Sequence, residues 1–176
     1  MKLFAISGTW HTKNKKVKKD VEETTKKIIK EGNGIINGGA LGVDYFATEI
    51  VLKFGDPKKQ LKICLPIKLE EMCKHYFRRA KEGVITNQQA KKITTQLKKV
   101  AKASPDSILD KTHYLKANKK SYFARNNTIV GLSNALYAFQ VNESEGVQDA
   151  INKAKTLGKP VHVKKYCLPK EKTLLQ

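Results

Sequence analysis

Short apolar runs, each followed by turn residues, alternate along the chain with segments in which apolar residues recur at helical spacing. Continuous apolar runs of this kind are typical of buried parallel strands, and they predict strands at residues 3–6, 35–36, 61–67, 135–141 and 161–163. Helical spacing predicts helices at residues 17–31, 42–53, 122–132 and 147–157. This alternation predicts a doubly wound α/β fold with a mainly parallel sheet of about five strands.

The alternation is interrupted between residues 68 and 120, where apolar residues follow helical spacing and no strand signal occurs. Stripes of this kind are packing surfaces far more often than cofactor sites. We therefore predict a helical insertion at about 68–120 within one domain that spans residues 1–167, followed by a tail over 168–176.

The charge of the chain leaves two interpretations open. There are 35 Lys plus Arg against 16 Asp plus Glu, so the formal net charge is +19, yet only Arg78, Arg79 and Arg125 are arginines. Proteins that bind phosphates and bases favour the bidentate arginine fork, whereas a lysine coat can arise from composition alone. A solvated coat and a nucleic-acid footprint are equally compatible with this balance.

Other features exclude several classes of protein. No apolar run approaches the roughly 20 residues that a membrane span needs, and the N-terminus lacks a signal-peptide pattern, so we expect a cytoplasmic protein without a membrane partner. Cys64, Cys73 and Cys167 lie far apart, which argues against a disulfide framework or a zinc site. We predict no metal and no cofactor.

Three loops that follow predicted strands carry the residues most suited to ligand binding. In an open parallel sheet, ligands bind beyond the carboxyl ends of the strands. Glycine backbones and helix N-termini there can cradle a phosphate, and hydroxyl groups add donors. The alternative is that the glycines make tight turns and Ser144 caps a helix. The candidate phosphate contacts are Ser7, Gly8, Thr9, Gly38, Gly39, Ala40, Gly42, Ser144 and Gly146.

Charged and amide side chains near these loops add further candidates. Asp44 either favours the start of its helix or orients the glycine loop or a sugar. Arg125 and Asn126 open a helix before a predicted strand, where Arg125 could clamp a phosphate or a base. Glu143 and Glu145 are weak candidates for a base or nucleophile acting on an N-glycosidic bond.

Four segments resemble one family. SGTW, INGGALGVDYFATEIVL, YFARNNTIVGLSNALYAF and NESEGVQDAINKAKTLGKPVHV are similar, in this order, to the DNA-processing A (DprA/Smf) family and to the wider SMF/DprA-LOG (SLOG) superfamily. The resemblance covers about two-thirds of the chain, with Gly38-Gly39-Ala40-x-Gly42-x-Asp44 and Arg125-Asn126 as its most specific elements. It implies a Rossmann-like domain that binds a nucleotide or single-stranded DNA at the glycine loops.

The chain departs from the family pattern at two charged positions. Leu41 stands where the glycine motif usually has arginine, and Asn127 stands where a second arginine follows Arg125. These losses favour a smaller or less charged ligand. The loop NESEGVQDA also lacks the tandem glycines and paired glutamates of the phosphoribohydrolase branch of the superfamily.

Three functional hypotheses follow. The leading one is a nucleotide- or nucleic-acid-phosphate-binding protein, most concretely a DprA-like DNA-processing protein that binds single-stranded DNA. The second is a nucleotide-metabolising N-glycosidase, and the third is a sensor of a nucleotide-derived ligand. Enzymatic activity is less favoured than binding, and self-association into a homo-oligomer is left open.

Overall fold

The computed structural model describes residues 1–169, so most of the predicted tail at 168–176 lies outside the described residues. Within residues 1–169 the sheet has six parallel strands, and seven α-helices connect and cover them. The strands are β1 (Leu3–Gly8), β2 (Gly34–Asn37), β3 (Leu61–Cys64), β4 (Ile108–Leu109), β5 (Ala135–Val141) and β6 (Val161–Tyr166). The helices are α1 (Lys15–Lys30), α2 (Val43–Phe54), α3 (Pro57–Gln60), α4 (Leu69–Lys81), α5 (Asn87–Ala103), α6 (Lys119–Leu132) and α7 (Glu145–Thr156).

The strand order β4-β3-β2-β1-β5-β6 confirms the prediction of a Rossmann-like, doubly wound parallel sheet. The chain proceeds outward from β1 to β4 on one side and then returns to place β5 beside β1 on the other. The order therefore reverses between β1 and β5. In folds of this class a ligand crevice opens at that point, beyond the carboxyl ends of the two strands.

Helices cover both faces of the sheet because successive strand residues point to opposite sides. Ile35 and Ile36 are both fully buried, but they belong to different apolar clusters. One cluster contains buried residues of α1, α2, α4 and α5, and the other contains those of α6 and α7. This two-sided burial explains why the central strands are continuous apolar runs.

The predicted strand count of about five was one too low. The missing strand is β4, which pairs with β3 through Ile63↔Ile108 and Cys64↔Leu109 and lies inside the segment predicted to be wholly helical. Two half-buried residues give no periodic signal. The short helix α3 was also not predicted. Strand β6 extends to Tyr166, three residues beyond the predicted end at Val163; the prediction stopped early because the exposed lysines of this edge strand interrupt the apolar run.

Local capping sets where several helices begin. The Asn14 side chain accepts hydrogen bonds from the first turn of α1. Asn118 and Ser121 form a reciprocal capping box, so α6 begins at Lys119 rather than at the predicted residue 122. In residues 1–169, no helix is both long enough and apolar enough to cross a membrane.

Candidate functional site

The carboxyl ends of β1 and β5 are joined by Thr9. Its backbone N–H donates to Phe139 O at 3.2 Å, and its hydroxyl accepts from Val141 N at 2.9 Å. The hydroxyl also lies 3.4 Å from Val141 O. Of the three predicted contacts on this loop, Ser7 and Gly8 end β1 and are half-buried, whereas Thr9 is engaged in holding the crevice together.

The glycine loop after β2 directs its backbone donors inward. Gly38 N and Ala40 N both donate to Asp44 Oδ2, at 3.0 and 3.3 Å, and Gly39 N donates to Asn37 Oδ1 at 3.0 Å. These three N–H groups are therefore occupied within the protein. Of the two roles predicted for Asp44, the hydrogen bonds support orientation of the glycine loop.

Burial raises the pKa of Asp44 to about 6, while the Arg125 guanidinium and the Gly38 and Ala40 N–H groups act in the opposite direction. Only 6% of Asp44 is exposed. An ionised carboxylate here is stabilised by one nearby cation and two backbone donors, against a large loss of hydration.

At two positions a neighbouring side chain approaches the backbone so closely that only glycine fits. A Cβ on Gly38 would lie 1.8 Å from Arg125 Nη1, and a Cβ on Gly8 would lie 2.3 Å from the Val43 side chain. Gly38 thus makes room for the guanidinium, and Gly8 lets the end of β1 pack against the start of α2. At Gly146, by contrast, a Cβ would have no neighbour within 4 Å among the described residues, so packing does not require glycine there.

Neighbouring residues on α6 connect the second and third loops. Arg125 Nη1 donates to Gly38 O at 2.7 Å, and its guanidinium carbon lies 5.3 Å from the centre of the Tyr122 ring. Asn126 Nδ2 donates to Gly146 O at 3.3 Å and to Asp149 Oδ2 at 2.9 Å. The structure thus brings Arg125 and Asn126 together with both loops.

The start of α7 carries the remaining candidates. Ser144 is the N-cap residue, but its hydroxyl makes no capping hydrogen bond, and Gly146 beside it is exposed. Glu143 is exposed, and the exposed Glu145 forms an ion pair with Lys119. The helix N-terminus therefore carries backbone donors and a half-buried hydroxyl that makes no capping bond, which suits an anion.

Helix α4 covers the glycine loop from above. The buried Tyr76 donates its hydroxyl hydrogen to Gly39 O at 2.9 Å, and Tyr122 OH lies 3.5 Å from His75 Nε2.

Leu41 and Asn127, the two departures from the family pattern, add no charge: Leu41 is 6% exposed within the core, and Asn127 faces solvent.

A cavity of about 500 Å³ lies between the ends of β3 and β4, the segment that follows β4, and α6. Arg125 lines it, and within residues 1–169 the buried Nε of Arg125 has no hydrogen-bond partner. The rest of this cavity was not predicted, because residues 110–114 follow a strand too short to recognise in the sequence. Its polar lining includes Asp110, Thr112, His113, Ser121 and Thr128.

Comparison with known proteins identifies the family. A family model described as DNA recombination-mediator protein A matches residues 1–173. The chain belongs to this family. The match confirms the predicted resemblance, and it makes this chain a DprA-like DNA-processing protein. No curated protein sequence gives a significant match.

Solved structures support the same fold. DNA processing protein A from Helicobacter pylori is 24% identical to this chain, with a TM-score of 0.65. The match covers 98% of this chain and 67% of the H. pylori chain, whose structure shows a unique single-stranded DNA binding mode. DNA processing protein A from Streptococcus pneumoniae is 17% identical with a TM-score of 0.54 over 92% of this chain and 58% of its own. A Northeast Structural Genomics Consortium target is 18% identical with a TM-score of 0.58, over 92% of this chain and 72% of its own.

Proposed function

We propose that this member of the DNA recombination-mediator protein A family binds single-stranded DNA at the carboxyl edge of its sheet. The observation that carries the proposal is Arg125, whose half-buried side chain lines the cavity and is held there by the hydrogen bond from its Nη1 to Gly38 O. A guanidinium carries five N–H donors, so one that is fixed at a cavity wall can still pair with a phosphate or base acceptor. The DNA-binding relative from H. pylori supports the same class of ligand.

Phosphate contacts are assigned to the groups that the fold leaves open. Ser144 and the backbone at Gly146 offer donors at the start of α7, and Lys119 lies close by through its ion pair with Glu145. Ser7 and Gly8 border the same crevice from β1. In this arrangement Gly38, Gly39, Ala40, Gly42 and Asp44 shape the crevice and hold Arg125, whereas Ser144 and Gly146 contact the phosphate.

The cavity beside Arg125 is assigned to a base. Its lining combines a carboxylate, hydroxyls and an imidazole, which can pair with the donor and acceptor edges of an unstacked nucleobase. Asp110 Oδ2 already accepts from Leu69 N at 3.0 Å, so its other oxygen is the one assigned to the base.

An N-glycosidase is not favoured by any observation on the two candidate carboxylates. Glu143 and Glu145 are exposed, and Lys119 neutralises Glu145.

We further propose that residues 1–167 act as one domain in the cytoplasm, and self-association stays a prediction.

The test is the affinity for a labelled oligothymidine of about ten nucleotides, measured by anisotropy over a salt series. Arg125→Gln is compared with Lys155→Gln, which removes a charge from an exposed site near the far end of α7. We expect Arg125→Gln to weaken binding about tenfold or more and to reduce the salt slope by about 0.7, and Lys155→Gln to stay within about twofold of wild type.

Arg125→Gln also removes the bond to Gly38 O, so a second variant separates binding from folding. Ser144→Ala removes a hydroxyl that makes no capping bond, and we expect weaker DNA binding with an unchanged melting temperature. No binding by the wild-type protein at low salt, or equal binding by wild type and both site variants, would falsify the proposal.

A further inference from the structure

A second cleft lies on the other side of the glycine loop, between the β1–α1 loop and the N-terminal turns of α2 and α5. Its volume is about 270 Å³. Its wall shares Leu41 and Gly42 with the glycine loop, and His11 N donates to Leu41 O at 3.2 Å. The cleft therefore adjoins the proposed DNA site but is formed by different side chains.

The lining of this cleft has one chemical character. Its aromatic, amide and basic residues are His11, Lys13, Tyr45, Phe46, Gln88, Gln89 and Lys92. None of the ten lining residues, all within the described part of the chain, is acidic. Aromatic faces combined with amides and ammonium groups are what a nucleotide of a single strand requires: a stacking surface, donors for the base edge, and cations for the phosphate.

Lysine ammonium groups pack against the two aromatic rings of the cleft. Lys92 Nζ lies 4.7 Å from the centre of the Tyr45 ring, and Lys18 Nζ lies 5.7 Å from the centre of the Phe46 ring. Both rings are half-buried, so part of each ring surface stays open to solvent. A base that stacks there takes the place of the ammonium group, which can then pair with the adjacent phosphate.

The β1–α1 loop adds a strained residue and an unpaired polar atom. His11 has a φ of 65°, in the left-handed region that is uncommon for residues other than glycine. Its Nε2 is buried and has no hydrogen-bond partner within residues 1–169. The same turn leaves Trp10 45% exposed, with its ring tilted by 35° against that of His11 and the ring centres 5.4 Å apart. Backbone outliers of this kind cluster at binding and switch sites, so the conformation of His11 supports a functional role for this cleft.

We propose that this cleft binds one further nucleotide of the same single strand, with its base stacked on Tyr45 or Phe46 and its phosphate held by Lys13 and Lys92. The inference rests on the proposed function, because it extends the path of the DNA from Arg125 across the glycine loop. It predicts that a strand long enough to reach the cleft binds more tightly than a dinucleotide.

The test uses a double variant with a matched control on the same helix. Gln88→Ala with Lys92→Ala removes two exposed cleft side chains from α5, and Thr95→Ala with Lys99→Ala removes two exposed side chains two turns further along. Affinity is measured for a thymidine dinucleotide and for an oligothymidine of about ten nucleotides. Emission of Trp10, the single tryptophan, is recorded in the same titrations.

We expect the cleft variant to lose about tenfold in affinity for the longer strand, to bind the dinucleotide like wild type, and to lose the change in Trp10 emission. The control pair should match wild type in all three. If the cleft and control variants bind the longer strand equally while Arg125→Gln still weakens it, the cleft inference is wrong and the proposed function stands. If wild type binds neither strand, both fail.

Discussion

Asp44 connects the chemistry of the site to the stability of the fold. One of its carboxylate oxygens accepts from Gly38 N and Ala40 N, while Arg125 donates to the carbonyl of the same Gly38. The loop is thus held between the buried carboxyl group of Asp44 and the half-buried guanidinium of Arg125. A ligand that pairs with Arg125 competes for the cation that favours ionised Asp44, so occupancy and protonation of this residue are linked.

This linkage predicts a pH dependence of stability. The pKa of Asp44 is about 6 in the folded protein against an ordinary value of 3.8, because burial disfavours the charge. Between about pH 4 and pH 6 the folded state keeps a proton that the unfolded chain loses, so the free energy of unfolding falls as pH rises and levels off above the folded pKa. The full loss is about 3 kcal/mol.

Asp44→Asn keeps an oxygen acceptor but cannot titrate, so we expect it to remove this pH-dependent loss. The measurement is urea unfolding from about pH 4 to pH 7, with Asp106→Asn at an exposed position as the control. Identical pH profiles for wild type and Asp44→Asn would contradict the assignment.

Among the strands and helices, the apolar pattern was sufficient for the central sheet but not for its edges. β1, β2 and β5 are buried on both faces, so their runs are uninterrupted and were predicted within one or two residues. The edge strand β6 was predicted only over residues 161–163, because it continues through the exposed Lys164 and Lys165. The two residues of β4 are too few to form a pattern. The cavity beside Arg125 was missed for the same reason, since its outer wall follows β4.

Loop geometry could be anticipated from residue types, but its hydrogen bonding could not. The glycines after β2 indicated close approach of the backbone, and the structure fills that space with Arg125. Nothing in the residue order shows that Gly38 and Ala40 donate to Asp44 rather than to a ligand, because this depends on where α2 begins relative to β2. Arg125 itself could be singled out because arginine is scarce in this chain.

Two glycines at the junctions between strands and helices should respond oppositely to alanine. Gly8→Ala places a methyl group against Val43 between β1 and α2, where overpacking costs about 1–3 kcal/mol. Gly146→Ala meets nothing within 4 Å among the described residues and lies in the first turn of α7, so we expect a gain of up to about 1 kcal/mol from helix propensity. Thermal and urea unfolding of the two variants measure this; equal destabilisation would show that Gly146 has a packing role after all.

Over the molecule as a whole, the excess of lysine is distributed over helix surfaces as well as around the site. Two lysines of α1 form i,i+4 ion pairs at the surface, Lys18–Glu22 and Lys19–Glu23, which contribute little to stability. Others, such as Lys119, lie at the carboxyl edge of the sheet. The net charge alone therefore does not distinguish a solvated coat from a DNA footprint, whereas the position of each charge does.

Two triple variants with the same net charge separate these interpretations. Lys26→Gln, Lys27→Gln and Lys30→Gln alter the end of α1 away from the carboxyl edge, and Lys13→Gln, Lys119→Gln and Lys120→Gln alter that edge; each set lowers the charge from +19 by 3 to +16. Counterion release predicts that removing one lysine–phosphate interaction with a single strand lowers the salt slope by about 0.7. We expect the edge variant to lose up to about 2 in slope and the α1 variant to keep the wild-type value. Because only a lysine that contacts a phosphate releases counterions, equal slopes for the two variants would contradict the predicted DNA footprint at the carboxyl edge.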